Sequence, residues 1–227
     1  MTKPRILVLG GSHGWPSHTG ALLRAAERCI SLRGGSTCRW DVGSRPLPAV
    51  LREPAATEEA VTARALVSAA EAADGLVIAS PLYHGSYSGA VKDALDHLST
   101  RELEGKPVAL LSHSGSFPST QALDHLRAVV RALHALAVPG QLVTVCGDYE
   151  LCDDRYVLAS REMATRLGDV VDELLWLATQ LRDAGPRRPL AAAPASIDPR
   201  PPIANTSERS TDGRRAGNHR RRVVQRS

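Results

Sequence analysis

A doubly wound α/β fold, five parallel strands between two layers of helices, is the architecture this sequence predicts. Three observations predict it. Short apolar runs recur between Arg5 and Val145; each is followed by a longer segment whose apolar residues have helical spacing; and the runs themselves hold so few polar residues that both their faces must be covered. Five such strand-helix units, joined by right-handed crossovers, suit the order 2-1-3-4-5, in which ligands bind beyond the carboxyl ends of strands one and three.

Each element has its own justification. Arg5 to Leu9 (RILVL) runs straight into Gly10, Gly11 and Ser12, a buried strand ending in a tight loop. A helix follows over His18 to Leu32, with Leu22, Leu23, Ala26 and Ile30 on one face, Ser17 as N-cap, and Gly34 and Gly35 as its end. Thr37 to Val42 is the second strand, and Pro46, Pro48 and Pro54 force an irregular connection after it. Thr57 caps an Ala-rich helix over Glu58 to Ala73, which leads into Gly75 to Ala79 (GLVIA), a strand with no polar residue. After Ser80 to Gly89 come a helix over about Ala90 to Leu98, the strand Pro107 to Leu111 and the loop Ser112 to Pro118. Ser119 to Ala137 reads as a long amphipathic helix, Gln141 to Val145 as the fifth strand, and Arg155 to Arg182 as a last helix with a break near Gly168.

The chain of 227 residues suits one domain, residues 1–185, followed by a basic tail over 186–227. Only 4% of residues are aromatic against 43% hydrophobic, so the core is aliphatic. In the tail ten arginines face Asp198, Glu208 and Asp212, about +7, which leaves the domain at about −3 of the overall +4. Rich in Pro, Arg, Ser and Ala, the tail buries too little to offset the entropy of ordering and is expected to be disordered. It is read as a solvated segment, although contact with nucleic acid or an acidic partner would suit its charge. Cys29, Cys38, Cys146 and Cys152 form no C-x-x-C pair, and neither a leader nor a membrane-length apolar run is seen. A reducing cytoplasm fits these features.

Between the first strand and its helix lies Gly10-Gly11-Ser12-His13-Gly14-Trp15-Pro16-Ser17-His18-Thr19. Free N–H groups at a helix N-terminus favour an anion, and Ser12, Ser17 and Thr19 add hydroxyls, a donor set suited to the three oxygens of a terminal phosphate monoester such as that of FMN. Taken alone, such a loop is also an ordinary connection. Neither G-x-x-x-x-G-K-[ST] nor G-x-G-x-x-G occurs, which disfavours a P-loop or a dinucleotide in this loop. His13 and His18 are read as solvated loop residues rather than metal ligands, and no metal is assigned.

The third strand opens into Ser80-Pro81-Leu82-Tyr83-His84-Gly85-Ser86-Tyr87-Ser88-Gly89, where backbone amides could approach the polar edge of a flat heterocycle and Leu82 and Tyr83 could cover its face. The same residues could equally be loop anchors and turn formers. The stretch SPLYHGSYSGAVKDALD, Ser80 to Asp96, resembles the S-P-x-Y-x-x-S-Y-S-G-x-L-K-x-x-L-D segment of the NAD(P)H-dependent FMN reductases, and the resemblance runs from about Arg5 to Arg182. It is closest to the flavin reductases that partner sulfonate-utilising monooxygenases.

That resemblance implies a flavodoxin-like fold that uses NADPH or NADH to reduce FMN, with no catalytic acid or base because the flavin carries the hydride chemistry. It implies that Ser12, Ser17 and Thr19 hold the phosphate, that Pro81, Leu82, Tyr83, His84, Gly85 and Ser86 line the ring, and that Ser114, Gly115 and Ser116 close the site. It further implies a homodimer or homotetramer and a flavin-dependent monooxygenase as electron partner. Many relatives carry Arg two places after the first serine; here Gly14 stands there, leaving Arg33 or another cation to compensate. In place of an inserted Tyr found in some relatives, this chain has Leu123, Asp124, His125 and Leu126. The alternatives are an FMN-containing quinone or azo reductase and a non-catalytic flavodoxin-like electron carrier.

Hydrolytic chemistry is disfavoured: Gly85 to Gly89 places Tyr87 where a nucleophile elbow needs Ser, and the adjacent Ser112, His113 and Ser114 seldom make triad geometry. Lys92 and Asp96, at i,i+4, read as an exposed ion pair.

Overall fold

The computed structural model describes residues 3–12, 14–47, 50 and 58–185. The expected cap at Thr57, the prolines at 48 and 54, His13 and the whole tail lie outside them. The first half supplies β1 (Arg5–Gly10), α1 (His18–Leu32), β2 (Ser36–Asp41), α2 (Glu58–Glu71), β3 (Gly75–Tyr83) and β4 (Ser86–Tyr87). There follow α3 (Gly89–Asp96), α4 (Thr100–Leu103), β5 (Pro107–His113), α5 (Gln121–Ala132), β6 (Leu136–Thr144), a 3-10 turn, β7 (Tyr149–Cys152), β8 (Arg155–Leu158) and α6 (Arg161–Asp183).

The central sheet runs β2-β1-β3-β5-β6, all parallel, with the two-residue β4 paired antiparallel to β3. This is the expected 2-1-3-4-5 order with one short hairpin strand added. Alternation within the strands builds two cores: Leu7, Leu9, Leu76, Ile78, Val108 and Leu110 face α2, α3 and α5, whereas Ile6, Val8, Val77, Ala79, Ala109 and Leu111 face α1 and α6. All twelve are buried, which is why these strands read as unbroken apolar runs.

Helix α1 begins and ends where the sequence places it, and Ser17 caps it by accepting from the Gly20 amide at 3.0 Å. Elsewhere the structure corrects the bounds. Helix α5 stops at Ala132, not Ala137, because His134 turns into the left-handed region at φ 58. Strand β6 starts earlier, at Leu136, and a register shift opposite Val108 and Leu110 makes room for Val138, Pro139 and Gly140. Pro139 has no N–H for the ladder, and β6 is an edge strand, the position where a bulge with Pro is tolerated.

The largest correction lies at Arg155 to Leu158. These residues form β8 of a two-stranded hairpin with β7, and the last helix begins only at Arg161, capped by the Ser160 hydroxyl accepting from Met163. Helix α6 does not break at Gly168. A Cβ there would stand 2.7 Å from Arg33 Nη2, so the glycine lets Arg33 cross to Asp172, which it grips at 2.7 and 3.0 Å. The pair Lys92–Asp96 forms as expected on the outer face of α3. Among the described residues no helix is long and apolar enough to cross a membrane.

Candidate functional site

Parallel register delivers three loops to one edge of the sheet. Gly10 pairs with Ala79, and Pro81 with His113, so the chain leaves β1, β3 and β5 side by side. The exit from β1 depends on Gly10: its φ is +145°, and a Cβ would lie 1.9 Å from the Ala79 carbonyl oxygen. The next amide, Gly11 N–H, donates to that same carbonyl at 3.2 Å.

In the first loop Ser12 Oγ accepts from the Gly14 amide at 3.2 Å and meets the Tyr83 hydroxyl at 3.2 Å. Ser17 satisfies the amides of Gly20 and Ala21, leaving those of His18 and Thr19 ahead of any helical carbonyl. Ser12, Gly14, Trp15, Ser17, Gly20, Arg24, Asp41, Gly43 and Ser44 enclose a cavity of about 150 Å³. The Thr19 side chain is buried in the first turn of α1. Arg33 lies at the other end of α1, committed to Asp172, and is no neighbour of this cavity.

The second loop is a closed hairpin. Leu82 pairs with Tyr87 and Tyr83 with Ser86, around His84 and Gly85 at φ 50 and 79, the positive pair that a two-residue hairpin turn demands. Buried Ser80 closes its base, its Oγ accepting from the Ser88 amide at 2.9 Å and donating to the Pro81 carbonyl at 2.8 Å. Helix α5 supports the hairpin, with His125 Nδ1 at 2.9 Å from Ser86 Oγ. Pro81 is buried, Leu82, Gly85 and Ser86 are half-buried, and Tyr83 and His84 are exposed.

The third loop is tied to β6 and the following turn: the Ser114 amide donates to the Thr144 carbonyl at 3.0 Å, and the Cys146 amide to the Gly115 carbonyl at 2.7 Å. Ser114 Oγ donates to Phe117 O at 2.6 Å within its own loop, while Ser116 and Phe117 face outward. The structure thus brings the twelve predicted site residues to one sheet edge, with direct contact between the first two groups through Ser12 and Tyr83.

Sequence reasoning gave His18 no role beyond a solvated loop residue, and the structure corrects this. Its ring lies between His113 (centroids 4.4 Å apart, 8° from parallel) and Tyr156 (3.7 Å, 19°), with Tyr149 edge-on at 5.0 Å. Burial lowers the His18 pKa; burial and then the nearby His18 hold that of His113 down at about 4, so both rings are neutral at pH 7. Ligand atoms of His18, His113 and Cys146 come within 4.8 Å of one another. Nearly parallel rings keep their lone pairs in separate planes, however, so the group is a stack rather than a chelate. Among the described residues His113 Nδ1 and Ser112 Oγ are buried without partners, and no triad forms there.

The donor set fits FMN. Two hydroxyls, unpaired first-turn amides and a guanidinium around a small cavity suit a phosphate monoester, and a preformed hairpin with one buried and one exposed apolar side suits a flat ring. Arg24 and Ser44 escaped the sequence reading. Arg24 could have been found, since it follows the Ser17 cap by two helical turns; Ser44 could not, since only the β1–β2 pairing brings its segment near.

Comparison with known proteins adds independent findings. Residues 4–149 match the protein family described as NADPH-dependent FMN reductase. An FMN-dependent NADPH-azoreductase of Staphylococcus saprophyticus is 44% identical over 111 residues, 48% of this chain and 59% of that protein. One of the same description from Staphylococcus aureus is 35% identical over 173 residues, 74% of this chain and 92% of that protein. Among solved structures, an oxidoreductase from Corynebacterium diphtheriae superposes with a TM-score of 0.61 at 25% identity, over 79% of this chain and 99% of that one.

Proposed function

This chain belongs to the NADPH-dependent FMN reductase family and is an NAD(P)H-dependent flavin oxidoreductase; from that premise we propose that it keeps FMN at the three-loop edge and passes the electrons of NADPH to an azo compound or a quinone. Ser12, Ser17 and the amide of Thr19 hold the phosphate in this reading. Pro81, Leu82, Tyr83, His84, Gly85 and Ser86 lie along the ring, and Ser114, Gly115 and Ser116 bound its open side. FMN, when bound, supplies the redox chemistry, taking a hydride from the nicotinamide and giving two electrons to the acceptor. The chain's own work is positional: the hairpin presents amides to the ring edge, and the hydroxyls and α1 fix the phosphate end.

The contact between Ser12 and Tyr83 carries the site, because it joins the phosphate loop to the ring loop in a single pocket edge. The azo acceptor is supported by the staphylococcal relatives, one of which aligns over 92% of its length. The test is a visible spectrum of the protein as isolated, together with NADPH oxidation at 340 nm with an azo dye, with a quinone and with added FMN. A yellow protein that bleaches the dye or reduces the quinone supports the reading. A colourless protein that oxidises NADPH only with added FMN would replace it with flavin delivery to a partner such as a monooxygenase, and no oxidation at all would overturn both.

A further inference from the structure

We infer that Arg24, on the second turn of α1, is the cation that makes this pocket select a phosphorylated flavin over riboflavin; this rests on the cofactor reading above. Long side chains on a helix lean toward its N-terminus, and Arg24 leans back over Gly20 into the cavity it shares with Ser12 and Ser17. Its Nη1 and the Ser17 Oγ each stand 3.6 Å from the point a Gly20 Cβ would occupy, so the missing side chain leaves the two donors facing one space. The other arm is fixed: Nη2 donates to the Tyr156 carbonyl on β8 at 2.9 Å. A guanidinium anchored by one arm loses little freedom when the other meets an anion.

The surrounding charges leave this site positive. Asp41 borders the same cavity, but Arg39 binds its carboxylate at 2.6 Å and also reaches Glu27 at 3.4 Å. Among the described residues the charges acting on Arg24 are those of Arg39 and Arg155 against Asp41 and Glu27, so with Arg24 itself three positive charges meet two negative ones. Partial burial and the two neighbouring arginines lower the Arg24 pKa, the mark of a cation that an incoming dianion would stabilise. Riboflavin has no phosphate and would gain nothing here.

Titration of the apoprotein with FMN and with riboflavin, followed by quenching of flavin fluorescence, tests this. Loss of one charge-assisted contact predicts that Arg24→Gln weakens FMN binding about 10- to 100-fold and leaves riboflavin binding unchanged. Arg24→Lys keeps the charge and recovers part of the loss. Gly14→Arg added to Arg24→Gln recovers more, because position 14 lines the same cavity. Equal FMN affinity in Arg24→Gln, or an equal loss for both flavins, would overturn the proposal, the latter by showing that Arg24 acts through β8. A parent chain that bound FMN no better than riboflavin would sink the role of Arg24 alone, whereas one that bound neither would sink the cofactor reading itself.

Discussion

Ser12 and Tyr83, 71 positions apart in the chain, meet through their hydroxyls at 3.2 Å, so the loop leaving β1 and the loop leaving β3 share one hydrogen bond. Tyr83 is 50% exposed, and an exposed bond of this kind adds little to folding. Tyr83→Phe should leave the melting temperature within a degree or two and weaken FMN binding only about threefold. Ser12→Ala also removes the hydroxyl proposed above to meet the phosphate and should cost about tenfold or more, roughly 1.4 kcal/mol. Calorimetric titration against FMN checks both, and a larger effect for Tyr83→Phe would reverse the assigned roles.

Gly10→Ala should be severe. The new Cβ would sit 1.9 Å from a backbone carbonyl in the middle of the sheet, where nothing can yield without separating β1 from β3. A loss of about 3 kcal/mol or more is expected, seen as a fall in the urea midpoint. Gly34→Ala is the control: its φ is +84°, but no atom lies within 4 Å, so only about 1 kcal/mol of backbone strain applies.

His113 makes stability depend on pH. Its pKa is held at about 4 in the fold against 6.5 when free, so between these values the unfolded chain binds more protons than the folded one. Stability is therefore complete above pH 6.5 and declines as pH falls toward 4. The full separation corresponds to about 3 kcal/mol, and screening at the loop end reduces this to about 1 to 2 kcal/mol. His113→Phe should flatten the decline in urea unfolding measured from pH 7 to pH 4.5; an unchanged slope would remove His113 as its cause.

Glu102 acts in the same direction at lower pH. Burial would raise its pKa, but the Ser99 hydroxyl and amide and the Arg101 guanidinium outweigh burial and bring it down to about 2. The stabilisation from this capping box is present above pH 4.5 and is lost as pH falls through 2. Glu102→Gln should lower stability by about 1 to 2 kcal/mol at neutral pH, and the gap from the parent chain should shrink below pH 4.5 and close as pH falls through 2.

The sheet was legible because each buried strand is an unbroken apolar run, and α1 because Ser17 and two glycines bracket it. The β7–β8 hairpin was not. Its turn is Asp153-Asp154, both at positive φ, a pair that signals a hairpin far more weakly than Asn-Gly. Its inward side holds only Tyr149, Tyr156 and Leu158, too few for alternation to stand out beside the helical spacing that follows. The twelve candidate residues came from loop composition and resemblance, since both are local in sequence, and the parallel register sets their loops at one sheet edge. The stack of His18, His113, Tyr149 and Tyr156 draws on three separate segments and becomes visible only when β1 and β5 are folded into one sheet.

The clasp between Ser80 and Ser88 bears on how the protein gains and loses its flavin. Because the hairpin is closed by its own hydrogen bonds, the conformational entropy of that segment is given up during folding and not at the moment of binding. With the ring seated along this hairpin as proposed above, association needs no slow closing step, and a newly made apoprotein is ready to be loaded. Retention time is left to the contacts at the two ends of the flavin, so substitutions there can tune release without disturbing the scaffold.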